Sequence, residues 1–452
     1  MNVYRFKSLF GLGRPLALGV SLLAMQAVVP TVLQSVGVPM TVGVAHAQAA
    51  DKAADKPRKK TKRTQAMSAK VYEKVLEAQE LVEIKDYDSA LALLGELGQG
   101  RKPLNQAEQA NVYNTYAFIY YSLEQYPKAI EAYRNIINIV DGPEGQQIQA
   151  RYSIAQLYFV TDKWREGVDA LNDWMSVSTV IGASAYNLLS QGYYQLKDYD
   201  SALKNVEIAI SMFKADGKVP KENWYGLQRF LYYEKNDYAK VVEILGEMLV
   251  HYPKKSHWVQ LSAMYSELKN EGRQLAAMET AYVQGLLTKE KELINMAYLF
   301  LASDIPHKAA QVLDKGVESE IIDPTSKNLE LLGGAWRQSQ EIKKAVPIMA
   351  KAAASSDKGE LWYRLCSVYL DSDQFKKAVD SCNKGIKKGG LKRADSANLV
   401  LGMAHFNLQQ YKSARSAFNK ASKDKRSKKY ATQWIKHMNN TIKRQKSLEE
   451  DV

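Results

Sequence analysis

The sequence of 452 residues is poor in the side chains that most often carry catalysis or bind metals. It has two cysteines and six histidines, and the histidines are scattered along the chain. It contains no Gly-x-Ser-x-Gly, no His-Glu-x-x-His and no glycine loop of the kind that binds phosphate. Because enzymes and metal sites need convergent groups, we expect no catalytic residues, no metal and no cofactor.

Long apolar runs are absent after residue 47, and the only one lies within residues 1–47. This segment has a positive start, an apolar run and an A-x-A end, which are Arg5, Lys7 and Arg14, then Leu16–Val29, then Ala45-His46-Ala47. That order is typical of a secretory signal peptide, with cleavage before Gln48, and it predicts a periplasmic protein. An uncleaved membrane anchor is the alternative, although prolines interrupt a stretch that would need about 20 apolar residues.

Residues 48–69 are rich in alanine, lysine and arginine and have no apolar period, so they predict a flexible linker. The basic cluster at residues 58–63 suits anionic lipid headgroups or another acidic surface. A solubilising arm without a partner is the alternative. Contact with a membrane would therefore be peripheral at most.

A pattern recurs ten times after the linker: a small residue and an aromatic three positions later, followed by a second segment that opens aromatic-x-x-Ala. The plainest copy pairs Ala117 and Tyr120 with Tyr126 and Ala129. The copies begin near Val71, Ala110, Ile148, Ala183, Glu222, Lys255, Glu290, Ser326, Gly359 and Asp395. Their spacing of roughly 33 to 39 residues is that of the tetratricopeptide repeat, a helix–turn–helix unit.

The repeats predict an all-α fold, a right-handed superhelical solenoid of about ten tetratricopeptide units over residues 70–426. Small residues allow two helices to approach closely, and neighbouring pairs stack to bury the remaining apolar faces. Copies five to seven depart from the pattern, with Arg229, Gln274 and Pro306 at its key places. We therefore expect a bend or looser stacking near residues 255–310.

Charge is uneven along the solenoid. The formal net charge is +13, yet the first repeat is acidic and the chain is basic near its C-terminal end. The basic patch there consists of Arg415, Lys420, Lys423, Lys425, Arg426, Lys428 and Lys429. It suits an acidic partner or head-to-tail association, or it is the polar outer face that a terminal repeat needs for solubility. Nucleic acid is not expected as a partner of a secreted protein.

The last segment is amphipathic and predicts a capping helix over residues 427–446, followed by an acidic tail at 447–452. Tyr430, Trp434, Ile435 and Met438 are expected on the helix face that covers the last repeat. A role at a membrane surface is the alternative.

The two cysteines, Cys366 and Cys382, both fall in the ninth repeat. On two antiparallel helices whose turn lies near Asp373, each is about eight residues from the turn and the two are level. An even number of cysteines in an oxidising compartment favours a disulfide. The alternative is that both serve as small apolar core residues.

The second, fifth, ninth and twelfth places of each first helix are predicted to line the concave side of the solenoid. In repeats two to five these places include Asn114, Phe118, Tyr121, Tyr152, Gln156, Phe159, Asn187, Gln191, Tyr194, Phe230 and Tyr233. Aromatic rings with interleaved amides suit an extended peptide, because amides pair with main-chain groups. Alternatively, these residues are partly core, with the register misassigned by one.

The signal peptide, the segment QAMSAKVYEKVLEAQELVEIKDYDSAL and then QANVYNTYAFIYYSLEQYPKAIEAY resemble the secreted tetratricopeptide proteins associated with TonB energy-transduction systems. The resemblance implies a non-catalytic periplasmic scaffold that binds inner-membrane TonB-complex components. A scaffold for assembling peptidoglycan or the outer membrane is the alternative function, and an enzyme or enzyme-regulating subunit is the third.

Overall fold

The computed structural model describes residues 66–100 and 102–450, with side chains through residue 447. All regular structure in this part of the chain is helical, in 21 helices labelled α1 to α21. They are, in order, Ala69–Glu83, Tyr87–Gly98, Gln106–Ser122, Tyr126–Ile137, Glu144–Val160, Trp164–Val177, Ala183–Gln195, Tyr199–Ala215, Glu222–Glu234, Tyr238–His251, Lys255–Glu267, Glu271–Val283, Glu290–Ala302, Pro306–Glu318, Ser326–Gln338, Ile342–Ser355, Glu360–Asp371, Phe375–Lys388, Ala394–Asn407, Tyr411–Ala421 and Lys425–Glu450. The predicted signal peptide and residues 48–65 of the predicted linker lie outside the described residues.

The helices form two compact units. The first ends at Lys235 and contains α1 to α9, and the second begins at Asn236 and contains α10 to α21. Within each unit, consecutive helices pack as antiparallel pairs, and each pair packs against the next. The predicted all-α, repeated helix–turn–helix fold is confirmed. None of the described helices combines the length and the apolar character that crossing a bilayer requires.

The turn inside each pair has the same backbone throughout both units. After Tyr121, for example, the N–H groups of Glu124 and Gln125 donate to the carbonyls of Tyr121 and Tyr120 at 2.9 and 2.8 Å. This arrangement needs a left-handed residue, usually glycine. Here the position is never glycine, and φ lies between 55° and 65° at Lys85, Glu124, Asp162, Lys197, Lys269, Asp304, Gln340, Asp373 and Gln409.

Small residues bring the paired helices together, as predicted. Ala117 and Ala129 are fully buried in one cluster. Where serine replaces alanine, its hydroxyl bonds the opposite helix: Ser190 Oγ donates to the carbonyl of Ala202 at 2.7 Å. Ser262 Oγ donates in the same way to the carbonyl of Gln274 at 3.0 Å, so the divergent sixth copy keeps the close approach.

The core of the second unit is continuous through the divergent copies. One apolar cluster extends from Leu275 in α12, through Phe300 and Leu313, to Val368 in α17. Pro306 occupies the first position of α14, where its missing N–H removes no helical hydrogen bond. The looser stacking expected near residues 255–310 is therefore not seen from Leu275 onward.

A lysine lies over an aromatic ring in four of the pairs. In each case the lysine directly precedes the small alanine of the second helix, and the ring lies on the first helix. The pairs, with the distance from Nζ to the ring centroid, are Lys128 on Tyr120 (5.3 Å), Lys308 on Phe300 (5.6 Å), Lys344 on Trp336 (4.2 Å) and Lys377 on Tyr369 (5.7 Å). The lysine stem thus covers apolar surface while its charge stays near the ring.

The folded body begins before the predicted linker ends. The N–H and hydroxyl of Ser68 donate to Glu108 Oε1 in α3 at 3.0 and 2.6 Å. The carbonyl of Ala66 accepts from the side chain of Asn105 at 3.1 Å. Glu108 and Asn105 also cap α3 reciprocally. Residues 66–69 are therefore held by the second pair, which corrects the predicted linker boundary.

The C-terminal helix is longer than predicted. Helix α21 begins at Lys425 and ends at Glu450, so it includes residues 447–450 of the predicted acidic tail. Its inward face is formed by Ala431 and Met438, which are fully buried, with Trp434 and Ile435 partly buried beside Phe418. Tyr430 was expected on this face but is 46% exposed. The inward face passes through Ala431, and adjacent residues of a helix point in different directions.

A buried carboxylate joins α21 to the last pair. Asp395 in α19 is 7% exposed. It accepts hydrogen bonds from Arg393 Nη2 at 2.6 Å and from the Ser427 hydroxyl at 2.7 Å, and Arg426 lies 3.5 Å away. These hydrogen bonds, that of Arg393 first, hold the pKa of the Asp395 carboxyl well below its usual range despite its burial.

The structure joins Cys366 and Cys382 by a disulfide between α17 and α18, with a Cα–Cα distance of 5.2 Å. Both residues are fully buried. The same two helices also meet through glycines: a Cβ on Gly359 would lie 2.0 Å from the carbonyl oxygen of Gly385. The ninth pair is thus held by a covalent bond and by a backbone contact that excludes side chains.

Candidate functional site

The predicted groove residues lie on four first helices of the first unit. They come from α3 (Asn114, Phe118, Tyr121), α5 (Tyr152, Gln156, Phe159), α7 (Asn187, Gln191, Tyr194) and α9 (Phe230, Tyr233). Their exposures differ widely, from the exposed Asn114 to the buried Phe159. The set therefore divides into residues that reach the surface and residues that build the core.

The aromatic at the twelfth place packs against the ring that opens the second helix. The ring centroids are 6.0 Å apart for Tyr121 and Tyr126, 6.1 Å for Phe159 and Trp164, and 6.0 Å for Tyr194 and Tyr199. The second unit repeats the contact with Phe406 and Tyr411, also at 6.0 Å. The aromatic at the twelfth place therefore packs within its own helix pair, across the turn. This contact fits the alternative that these aromatics are partly core.

Phe159 belongs to the core and does not line a groove. It is 5% exposed and packs with Val168, Leu171 and Leu188. Its ring fits because α6 and α7 present glycines: a Cβ on Gly192 would lie 2.6 Å from the ring, and one on Gly167 would lie 3.1 Å away. The prediction of Phe159 as a groove residue is therefore wrong.

Tyr152 and Asn187 are also drawn into the packing. The ring of Tyr152 lies 4.7 Å from that of Trp174 on the paired helix, and burial raises the pKa of its hydroxyl. Asn187 is 8% exposed, and its side-chain oxygen has no hydrogen-bond partner among the described residues. Asn187 is removed from the predicted groove because it is buried, and the half-buried Tyr152 because its ring packs on Trp174.

Three rings form the centre of what remains. The centroid of Phe230, on α9, lies 5.5 Å from Tyr194 and 6.4 Å from Tyr199, edge to face with both. All three are half-buried, so each keeps exposed ring area. Burial raises the pKa of Tyr194, and neighbouring Tyr199 and Glu234 add to the effect. Its hydroxyl therefore stays protonated and can donate a hydrogen bond at neutral pH.

Tyr199 was missed as a candidate because it opens a second helix and was assigned only to packing. The signal that reveals it is an aromatic pair five residues apart across the turn, which recurs at 121/126, 159/164 and 194/199. We add Tyr199 to the candidate site.

We define the aromatic face as the exposed and half-buried candidate residues other than Phe118 and Tyr152, together with Tyr199. It comprises Asn114, Tyr121, Gln156, Gln191, Tyr194, Tyr199, Phe230 and Tyr233. Phe118 is half-buried and packs mainly against the apolar cluster of the first pair. Rings offer flat apolar area of low conformational entropy, and amides supply both a donor and an acceptor. This chemistry suits a polypeptide main chain with apolar side chains.

The predicted basic patch is only partly available. Arg426 is engaged with Asp424 at 2.7 Å as well as with Asp395, and Arg415 donates to Asn439. The remaining members, Lys420, Lys423, Lys425, Lys428 and Lys429, are exposed. In residues 376–447 there are nineteen lysines and arginines against three acidic residues, so the positive charge extends well beyond the predicted patch.

The described residues contain no cluster of three or more His, Cys, Asp or Glu side chains that could hold a metal ion.

No family model and no curated protein matches the chain. Solved structures do. MamA from Desulfovibrio magneticus is similar at 16% identity over 38% of this chain and 94% of its own, with a TM-score of 0.32. YrrB, titled a TPR protein with an unusual peptide-binding site, is 11% identical over 45% and 90%, with a TM-score of 0.32. The TPR2AB domain of yeast Sti1, in complex with pHSP90, is 13% identical over 60% and 99%, with a TM-score of 0.32.

Proposed function

We propose that this chain is a non-catalytic periplasmic scaffold that holds an extended segment of another protein on its aromatic face. The observation that carries the proposal is the half-buried cluster of Tyr194, Tyr199 and Phe230, contributed by two successive repeats. Rings already fixed by one another lose little entropy when a ligand packs on them. Gln191, half-buried on the same helix as Tyr194, offers an amide to the ligand main chain.

The proposed partner is a component of a TonB-type transport complex. This part of the proposal rests on the resemblance of residues 65–91 and 109–133 to secreted tetratricopeptide proteins associated with such systems. The periplasmic location rests on the signal-peptide pattern of residues 1–47.

Photo-crosslinking in cells tests both parts together. A photo-reactive residue replaces Tyr194, and the captured protein and the crosslinked segment are identified by mass spectrometry. Tyr298, which is 44% exposed on α13 in the second unit, provides the control position. We expect a TonB-complex component to be captured at Tyr194 and not at Tyr298.

Other outcomes separate the parts of the proposal. Capture of a peptidoglycan or outer-membrane assembly factor at Tyr194 alone would keep the binding face and replace the TonB role. Equal capture at both positions, or none at Tyr194, would contradict the binding face itself.

A further inference from the structure

The first and the last described helices carry opposite charges on their exposed faces. On α1 the exposed glutamates Glu73, Glu77 and Glu80 lie opposite the buried Val71, Val75 and Ala78. On α21 the exposed lysines Lys429, Lys436 and Lys443 lie opposite the buried Ala431 and Met438. These six charged residues form no ion pair within the described part of the chain.

The three glutamates occupy positions at which the second repeat packs against the repeat before it. The turns at Lys85 and Glu124 align the first two repeats with an offset of 39 residues. Under that alignment Glu73, Glu77 and Glu80 correspond to Val112, Tyr116 and Ile119. In the second repeat these three apolar residues pack against the first pair. On α1, the face that would pack against a preceding repeat therefore carries glutamates in place of apolar side chains.

Apolar area accompanies the charge on α1. Tyr72 is 39% exposed and Leu76 is 40% exposed, and both border the glutamates. On α21, Tyr430 is 46% exposed beside Lys429. Each face thus combines a charged stripe with apolar side chains, which is the composition of an interface between helices in water.

The two stripes share a seven-residue step, although the lysine stripe is twice as long as the glutamate stripe. Lys429, Lys436 and Lys443 follow one another at seven residues, about 10 Å along the helix axis. Glu73 and Glu80 are also seven residues apart, with Glu77 between them. Helix α21 already packs on α19 and α20 as the first helix of a further repeat would. Its outward face is then the place where another helix would stack.

We propose that α1 of one copy docks on the outward face of α21 of a second copy, so that the protein associates head to tail. A polar outer face for solubility would explain charges on both helices, but not stripes of opposite sign that share a seven-residue step. The interface is heterologous, so each copy offers one acidic and one basic end.

Two charge-reversed variants test the proposal by sedimentation velocity in low salt. The first is E73K/E77K/E80K and the second is K429E/K436E/K443E. We expect each alone to associate at least about tenfold more weakly than the wild type. Mixed together they should associate about as strongly as the wild type, because every α1 then meets an α21 of opposite charge on the other variant. Combining all six substitutions in one chain should restore association.

Reversal of exposed lysines elsewhere on the second unit, K291E/K343E/K351E, controls for net charge and should leave association unchanged. Circular dichroism confirms that each variant is folded. A wild type that stays monomeric overturns the proposal, as does a mixture of the two variants that does not associate. It is also overturned if each variant alone associates as strongly as the wild type, because the two charged faces are then not the interface. Binding of the lysine stripe to anionic vesicles without self-association would assign that face to a membrane and overturn it too.

Discussion

The two units are built from the same helical pair, yet their surfaces carry different chemistry. Residues 66–235 contain 24 aromatic residues, 17 basic residues and 22 acidic residues, whereas residues 236–452 contain 17, 35 and 25. The first unit exposes half-buried rings at Tyr194, Tyr199 and Phe230. The second concentrates lysines on α18 and α21 and carries the disulfide. One repeat architecture thus carries half-buried aromatic rings in one unit and a basic surface with a disulfide in the other.

The largest expected effect belongs to the disulfide of the second unit. C366A/C382A should lower the free energy of unfolding of that unit by about 3 kcal/mol, because the bond closes a loop of 16 residues. Hydrogen exchange should show faster exchange around α17 and α18 and unchanged rates in α3 to α7. Reduced wild-type protein serves as the control. Equal loss of protection in both units would show that the disulfide does not stabilise the second unit selectively.

The second prediction concerns Asp395, which joins α21 to the last pair. D395N should destabilise the second unit by about 2 kcal/mol, because it removes charge-assisted hydrogen bonds from a buried site. Since the pKa of Asp395 is lowered in the folded state, its contribution is complete above about pH 4 and is lost as the pH falls below that value. Urea unfolding at pH 7 and pH 3 measures both effects.

The control for this prediction is D380N, which removes an exposed carboxylate paired with Lys384. Its effect should stay within a few tenths of a kcal/mol. A D395N variant as stable as D380N at pH 7 would show that the carboxylate does not hold α21.

The third prediction tests the buried position of Phe159 in the first unit. G192A should destabilise that unit by about 2 kcal/mol, because the new Cβ would lie 2.6 Å from the ring of Phe159 and 2.6 Å from a methyl group of Val168. G226A on α9 is the matched control: no atom lies within 4 Å of its Cβ, so helix propensity should stabilise it by up to about 1 kcal/mol. Thermal unfolding distinguishes the two. Stabilisation by both substitutions would show that Phe159 does not pack against Gly192 and is not buried there.

The smallest expected effect is one that both units share. K344A in the second unit and K128A in the first should each cost about 0.5–1 kcal/mol, because each lysine lies over the ring of its paired helix. K343A, at an exposed neighbouring lysine, should have almost no effect. A cost confined to one unit would mean that the repeated contact is not a common element of the fold.

The repeat pattern predicted the fold because it follows local rules. Five predicted starts, at Ala183, Glu222, Lys255, Glu290 and Ser326, coincide with the first residues of their helices. Small residues and turn positions recur at fixed offsets, so one sequence carries the signal many times. The pattern also placed the cysteines level with each other, and the structure joins them.

The candidate site was harder to predict, because exposure depends on residues from different helices. Phe159 is buried only because Gly167 on α6 and Gly192 on α7 leave space for its ring. Tyr152 is covered by Trp174. The twelfth place looks uniform in the sequence, yet its exposure differs between repeats for these reasons. Contacts of this kind between helices cannot be predicted from the spacing of residues within one helix.

The central claim is that the aromatic face of the first unit binds an extended protein segment. The most direct measurement is the fluorescence anisotropy of the labelled segment that crosslinks at Tyr194, titrated with wild type, Y194A/F230A and the control Y298A. We predict binding at least about tenfold weaker for Y194A/F230A and unchanged for Y298A. Equal affinity for all three proteins would contradict the claim.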